Sequence, residues 1–463
     1  MASPAVLFGA AKLVPADISV AQNLQTEATI QLSLPAPEPG LDVRIESSDP
    51  GRMLFAITDK AAGSVSITLR VPSGRVSTPE FFVQGLANSG VGEYTLSVAG
   101  NPLVTGLVKL TPSAVVLSGP AKLGNPIFTT TGSGPSIINV YAVQLDESGE
   151  VTRTQQVRGG LSMAIALTTS NMNVAVLKPS RVNIGGGEFK ATIQFQPLSA
   201  GTTTVVIEGP PGFLPNSKFA TLAATVAIPG LGITDHITIG KDLQTHGSLL
   251  LGEAAPAGGV AATVTSSDPT RLLLASSANE IGSRTITLII PVGEVSKSYF
   301  LQALGDSGSV SYQAVAPGYR DRTGIISLAP SGFVLTGPEG PPDEAEVLRP
   351  EAPVGPHGLL SSLAKATPET IRIYPVYLDP KTHRGADITV QPIRAGISAS
   401  IALNNSNPAI GTASPSITIP GGLDQAEAEF RPLSAGSTVL SLSTPEGFVK
   451  PSNATTLKVV VIP

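Results

Sequence analysis

The chain is written twice, and this constrains its fold more than any single motif. Ser47-Ser48-Asp49-Pro50 returns as Ser266-Ser267-Asp268-Pro269. At the same offset, Ile18-Ser19-Val20 and Leu24-Gln25-Thr26 return as Ile237-Thr238-Ile239 and Leu243-Gln244-Thr245. A second set repeats at a slightly larger offset: Pro197-Leu198-Ser199-Ala200-Gly201 comes back as Pro432-Leu433-Ser434-Ala435-Gly436, and Gly212-Phe213 as Gly447-Phe448. The order is A–B–A′–B′, with modules of about 105–125 residues, the usual size of a domain. The expected modules are A (1–118, opening with a strand segment at 1–12), B (119–229), A′ (230–337) and B′ (338–463). B′ carries a Pro/Glu-rich insertion at 339–366 that is longer than the matching stretch of B, and loops of that length are usually functional or mobile.

Within each module the hydrophobic period is two. Val65, Ile67, Leu69 and Val71 alternate with Ser64, Ser66, Thr68 and Arg70, which turns one face toward a core. Ile286, Leu288 and Ile290 keep the same phase in A′. Both runs stop at a proline, Pro72 or Pro291, which has no N–H to donate to a ladder. Turn signals such as Pro39-Gly40, Asp49-Pro50 and Asn88-Ser89-Gly90 punctuate the strands at the spacing of a β-sandwich. No amphipathic helix of three turns is present, and only 358–366 reads as a short helix. The expected fold is all-β, a tandem array of four sandwiches.

Composition narrows the function. Charged residues are 14% and the net charge is −5, so no basic face announces nucleic acid or an anionic membrane. Without cysteine there is no thiol chemistry, Cys-ligated zinc or disulfide. Met1-Ala2-Ser3-Pro4 does not open a signal peptide, and no apolar run approaches the roughly 18–20 residues that span a bilayer.

Gly92-Glu93-Tyr94-Thr95-Leu96 and Val310-Ser311-Tyr312-Gln313-Ala314 resemble the strand that carries the tyrosine corner of immunoglobulin-type sandwiches. The run 200–207 and its partner 435–442 resemble the late strand of bacterial Ig-like repeats, the Cys-free, Ser/Thr-rich sandwiches of surface proteins, adhesins and stalks. The resemblance covers nearly the whole chain and implies fold and setting, not a ligand. It assigns Tyr94 and Tyr312 a structural role, each buried with its hydroxyl bonded to nearby backbone. The absent disulfide and absent core Trp depart from the antibody pattern, and fibronectin-type or cadherin-like sandwiches stay open as alternatives.

The residues offer little chemistry. His236 and His246 have Asp17 and Glu27 as repeat partners, and neither they nor His357 and His383 form an i, i+4 pair. Gly185-Gly186-Gly187 lacks the Lys-Ser/Thr that grips phosphate and reads as a turn. Asp17, Asp235 and Asp242 lie near module junctions but come singly, whereas calcium gathers six to eight oxygens. With no Trp and seven Tyr, a sugar-stacking face has little to draw on. No catalytic residue, cofactor or metal is expected.

The expectation is therefore a non-catalytic structural or adhesive component of a bacterial cell surface or extracellular array, whose partners are other copies of itself or neighbouring repeats. The alternative is a binding or spacer part of a larger secreted enzyme. Val460-Val461-Ile462-Pro463 aligns with Val226-Ala227-Ile228-Pro229, after which A′ begins at once, so the chain reads as a piece of a longer array. Ala5, Val6, Leu7 and Phe8 align loosely with the closing strand of B. They read either as the first strand of A or as a strand donated to the sheet edge of another copy, a head-to-tail contact that builds filaments.

Overall fold

The computed structural model describes residues 12–98, 103–214, 218–337, 359–364, 367–385 and 389–463. Segment 5–8 and most of the insertion at 339–366 lie outside them. Among the described residues the chain is built from β-strands and turns, with no α-helix.

Module A is a sandwich of two sheets. One has five strands in the order Ile18–Ala21, Val104–Thr111, Val91–Ser97, Leu41–Ser47, Ser66–Val71, the first pair parallel and the others antiparallel. The other pairs Leu24–Ala28 with Phe81–Gly85 and Phe81–Gly85 with Met53–Ala56. Leu13–Val14 pairs with Gln31–Leu32 before the chain crosses to the five-stranded sheet. A first strand split between two sheets, with its second half parallel to the last strand, is an immunoglobulin-like layout. A′ repeats it: Leu231–Ile233 pairs with Gln244–Leu251, and Ile237–Gly240 then runs parallel to Arg322–Ala329. B and B′ each add a four-stranded ladder facing a five-stranded sheet, with a further short strand, Val151–Thr154, on the ladder of B.

The period of two fills the cores. Val43, Ile45, Ile67, Leu69, Leu96 and Val108 face Met53, Phe55, Phe81 and Val83 across A. Each such side chain contributes about 1.5–3 kcal/mol when fully buried.

The repeated motifs turn out to be loop clamps. Arg52 N and Met53 N donate to Asp49 O, turning the chain so that the Arg52 guanidinium donates to Ser89 O. Asp268, Arg271 and Leu272 repeat the turn, and Arg271 donates to Ser307 O. In the Pro-Leu-Ser-Ala-Gly loops, Leu198 N donates to Val174 O and Leu433 N to Ile410 O, each at 2.8 Å. Gly201 and Gly436 close these loops at φ 151° and 146°, where a Cβ would run into Val174 or Ile410.

Two features depart from the sequence reading. The sheets change over at Pro112 and Pro330, not near 118 and 338: Ser113–Ser118 already pairs with Ser136–Leu145 of B, and Ser331–Thr336 with Glu369–Tyr377 of B′. Those apolar runs belong to the following sandwich, and a single proline is the whole connection. Within the segment read as a short helix, Leu359–Leu363 is a strand parallel to Thr456–Ile462. A free helix that short does not repay its nucleation, whereas an open sheet edge supplies backbone partners at once. The chain forms two compact halves, Met1–Ile228 and Pro229–Pro463, each holding one A-type and one B-type sandwich.

Candidate functional site

The most built polar feature in either half is the seam between its two sandwiches. In the first half, Gln156–Val157 of B pairs antiparallel with Leu24 and Gln25 of A and so extends a sheet of A. In the second half, Leu243 and Ile393 make the matching bridge.

Buried glutamines lock this pairing. Gln25, 1% exposed, donates from Nε2 to Asp59 O at 2.7 Å and to Gln156 Oε1 at 3.0 Å. Its Oε1 accepts from Gly159 N at 2.8 Å and from Gln84 Nε2 at 3.0 Å. Gln84 donates its other proton to Ala61 O at 2.9 Å and accepts from Gly63 N at 3.0 Å. The second half uses the same device. Gln244 donates to Ala278 O and accepts from Gln302 Nε2 and Ala395 N. Gln302 donates to Glu280 O and accepts from Gly282 N. Another glutamine clamps the neighbouring strand: Gln155 accepts from Ala21 N and donates to Ser19 O, as Gln391 does with Gly240 N and Thr238 O. A buried amide that uses its donors and acceptors in this way fixes one docking geometry, because a shifted interface would strand them.

The two seams differ in charge. Arg394 Nε donates to Asp242 Oδ1 at 2.8 Å, both side chains being less than one-fifth exposed. The first half has Asn23 in place of Asp242, with Nδ2 donating to Gly212 O, and Arg158 in place of Arg394, whose Nε is buried without a hydrogen-bond partner. Asn23 and Asp242 both sit at φ near +60°, where Asn and Asp are tolerated, and their carbonyls accept from Arg158 N and Arg394 N.

A cleft of about 550 Å³ opens on the A–B seam, lined in part by Asp17, Lys109, Gln144, Asp146 and Arg153. Most of its polar groups are already engaged. Arg153 Nε donates to Gln144 Oε1, and Gln144 Nε2 donates to Ser19 Oγ and Thr111 Oγ1. Lys109 pairs with Glu147 at 3.1 Å. The Ser148 hydroxyl and the N–H groups of its own turn hold the Asp146 carboxyl below the usual range. Among the described residues no group of three or more His, Cys, Asp or Glu is placed to hold a metal.

Tyr94 and Tyr312 are both fully buried in their sandwiches. Tyr312 Oη donates to Thr234 O, 78 residues upstream, and lies 2.7 Å from Tyr299 Oη. This pins the kink at which the first strand of A′ leaves one sheet for the other. The hydroxyl is thus bonded to backbone beside it in space, and the ring reaches across the interior to do so. Tyr94 faces the matching kink, but its hydroxyl has no hydrogen-bond partner. Burial pushes the pKa of both tyrosines up, that of Tyr312 to about 12. The Tyr94 ring lies over Gly106, where a Cβ would sit 2.2 Å from it, so that strand position requires glycine. The kink of A′ is tied down further by Asp235, which accepts from Ile325 N at 2.6 Å and pairs with Arg322 at 3.2 Å.

The seam was missed in the sequence although its signal was present. Gln25 and Gln244 stand in the repeated Leu-Gln-Thr, and an amide kept in a strand that otherwise buries apolar side chains marks a specific partner.

No family model matches the chain, and no curated protein matches it. Solved structures similar to it include Escherichia coli alpha-2-macroglobulin activated by porcine elastase, at 10% identity and a TM-score of 0.18, over 98% of this chain and 44% of that one. The chain thus spans less than half the length of that protein. Another is the insect immune protein hemolin, described with implications for homophilic adhesion, at 8% identity and a TM-score of 0.17, over 97% of this chain and 99% of that one. The immunoglobulin-like assignment rests on the strand order of the chain itself.

Proposed function

We propose that the chain is a non-catalytic structural or adhesive component of a bacterial cell surface or extracellular array, with the locked two-sandwich pair as its building block. The observation that carries this reading is the seam. Each pair is joined by one proline, a shared sheet edge and a glutamine network whose groups are committed to holding two domains in one orientation. Such a joint resists bending, which suits an element that projects or spaces other groups. Segment Ala5–Phe8 is proposed to pair with an open sheet edge of another copy and so build head-to-tail filaments.

Antibody labelling of intact cells of the source organism tests the setting, with surface labelling expected; a protein confined to the cytosol would refute it. Electron microscopy of the full chain and of a chain lacking residues 2–9 tests the assembly. Filaments from the full chain alone are expected, and identical behaviour of the two would end the strand-donation proposal while leaving a passive stalk.

A further inference from the structure

The four-stranded ladder of B, with its added strand, has an unusual outer surface. Its strands, Ser113–Ser118, Ser136–Leu145, Val151–Thr154, Ala175–Lys178 and Lys190–Pro197, contain no Asp or Glu in a chain whose net charge is −5. Lys178 and Lys190 are exposed on it. Asp146 and Glu150 flank the strands at their hairpin, Asp146 bonded to Ser148 and Glu150 paired with Lys218, and Glu188, two residues before Lys190, folds back to accept from Gly185 N at 3.0 Å. Beside Lys190, Tyr141 and exposed Phe189 stack with ring centroids 6.4 Å apart and planes 15° from parallel. The Lys190 ammonium sits 5.9 Å from the Phe189 centroid. Asn139, Thr192 and Gln194 continue the face, and their side chains make no hydrogen bond to any described residue. A groove of about 420 Å³ runs between Lys178 and Gln194.

The duplicate shows that a sandwich of this type does not need such a face. At the positions of Asn139 and Thr192, B′ has Arg372 and Glu427, paired at 3.0 Å, and at those of Gln194 and Gln196 it has Glu429 and Arg431. Asp424 stands where B has Phe189. B′ neutralises this surface internally, whereas B leaves lysines, amides and the exposed Phe189, backed by partly buried Tyr141, facing solvent.

We propose that this face of B binds an acidic polysaccharide, a chain of uronate-bearing sugars. The lysines complement the carboxylates, the amides and the Thr192 hydroxyl can bond sugar hydroxyls, and the rings offer an apolar surface to sugar C–H groups. The proposal is independent of filament formation and of segment 5–8. Biolayer interferometry of the full chain on immobilised polygalacturonate tests it, with dextran, polyglutamate and DNA as competitors. Salt-sensitive binding is expected, weakened about tenfold by Phe189→Ala and by Lys178→Glu. Lys178 lies at an exposed strand end, so its variant reads binding even if Phe189→Ala disturbs the fold. Glu429→Gln in B′ is expected to change nothing. No binding, binding unaffected by both B variants, or equal competition by polyglutamate, DNA or dextran would each overturn the proposal.

Discussion

Gln25→Ala is the sharpest probe of the seam. The substitution removes four hydrogen bonds, and their consequences are unequal. Asp59 O and Gln156 Oε1 lie toward the edge and can turn to water. Gly159 N–H and one Gln84 Nε2–H are buried donors left without an acceptor. Two such donors cost about 2–6 kcal/mol together, at 1–3 kcal/mol each. For a cooperative body the size of the first half, that lowers its melting transition by roughly 4–24 °C. Scanning calorimetry of the full chain reads the shift, and hydrogen exchange followed by mass spectrometry locates it. The Gly159 amide and the strand Leu24–Ala28 should lose protection together, while the second half stays unchanged. Gln156→Ala is the internal control. Gln156 is partly exposed, so its truncation admits water to the one Gln25 Nε2–H it leaves, and the cost stays near the net worth of a single bond, about 0.5–1.5 kcal/mol. If Gln25→Ala shifted the transition by less than Gln156→Ala, or if A and B melted independently in the unaltered chain, the lock would be ornamental and the argument refuted.

Asp242→Asn deprives Arg394 of its carboxylate in a mostly buried site and should destabilise the second half by about 1–3 kcal/mol in urea titration; an unchanged midpoint would count against the ion pair. Tyr312→Phe strands the Tyr299 hydroxyl and Thr234 O and should cost about 1–3 kcal/mol, whereas Tyr94→Phe removes a hydroxyl with no partner and should be near neutral. Equal losses at the two sites would show that the hydroxyls do not act as placed. Donation from Ile325 N, with His236 and Arg322 nearby, depresses the Asp235 carboxyl, so its stabilisation is present above the ordinary carboxylate pKa and is lost as pH falls through the lowered value. Thermal melts in acid should therefore show a destabilising limb in A′ that Asp235→Asn removes.

The all-β sandwich architecture was legible because it rests on a local signal, the period of two closed by Pro and Gly, printed twice. The limits were also physical. Ser113–Ser118 was assigned to A because an apolar run reads alike whichever sheet it joins, and only its pairing partner decides the matter. Leu359–Leu363 shows the same limit: five residues carry too little periodicity to separate helix from strand. The seam escaped because its partners are backbone groups, the acceptors Asp59 O and Ala61 O in one module and the donor Gly159 N–H in the next, and backbone carries no letter. The ring pair on B escaped because Tyr141 and Phe189 lie far apart in sequence, so that counting aromatics argued against a platform that folding assembles.

Pro112 and Pro330 leave the chain no slack between sandwiches, and this bears on heredity. A gene segment encoding A alone would, on copying, yield a domain with Gln25 stripped of Gln156 and Gly159 and a sheet edge awaiting its neighbour. A segment encoding B alone would leave Gln155 and Gln156 without the strands they grip. Only the A–B pair can be duplicated with its interface intact, and the pair is what the sequence repeats. Divergence afterwards was free to recolour the outer faces, ion pairs in one copy and open amides in the other, while Gln25, Gln84 and Gln155 and their counterparts Gln244, Gln302 and Gln391 stayed in place. Anyone recombining such a chain should cut between Ile228 and Pro229, where the two halves divide, and never at the intervening prolines.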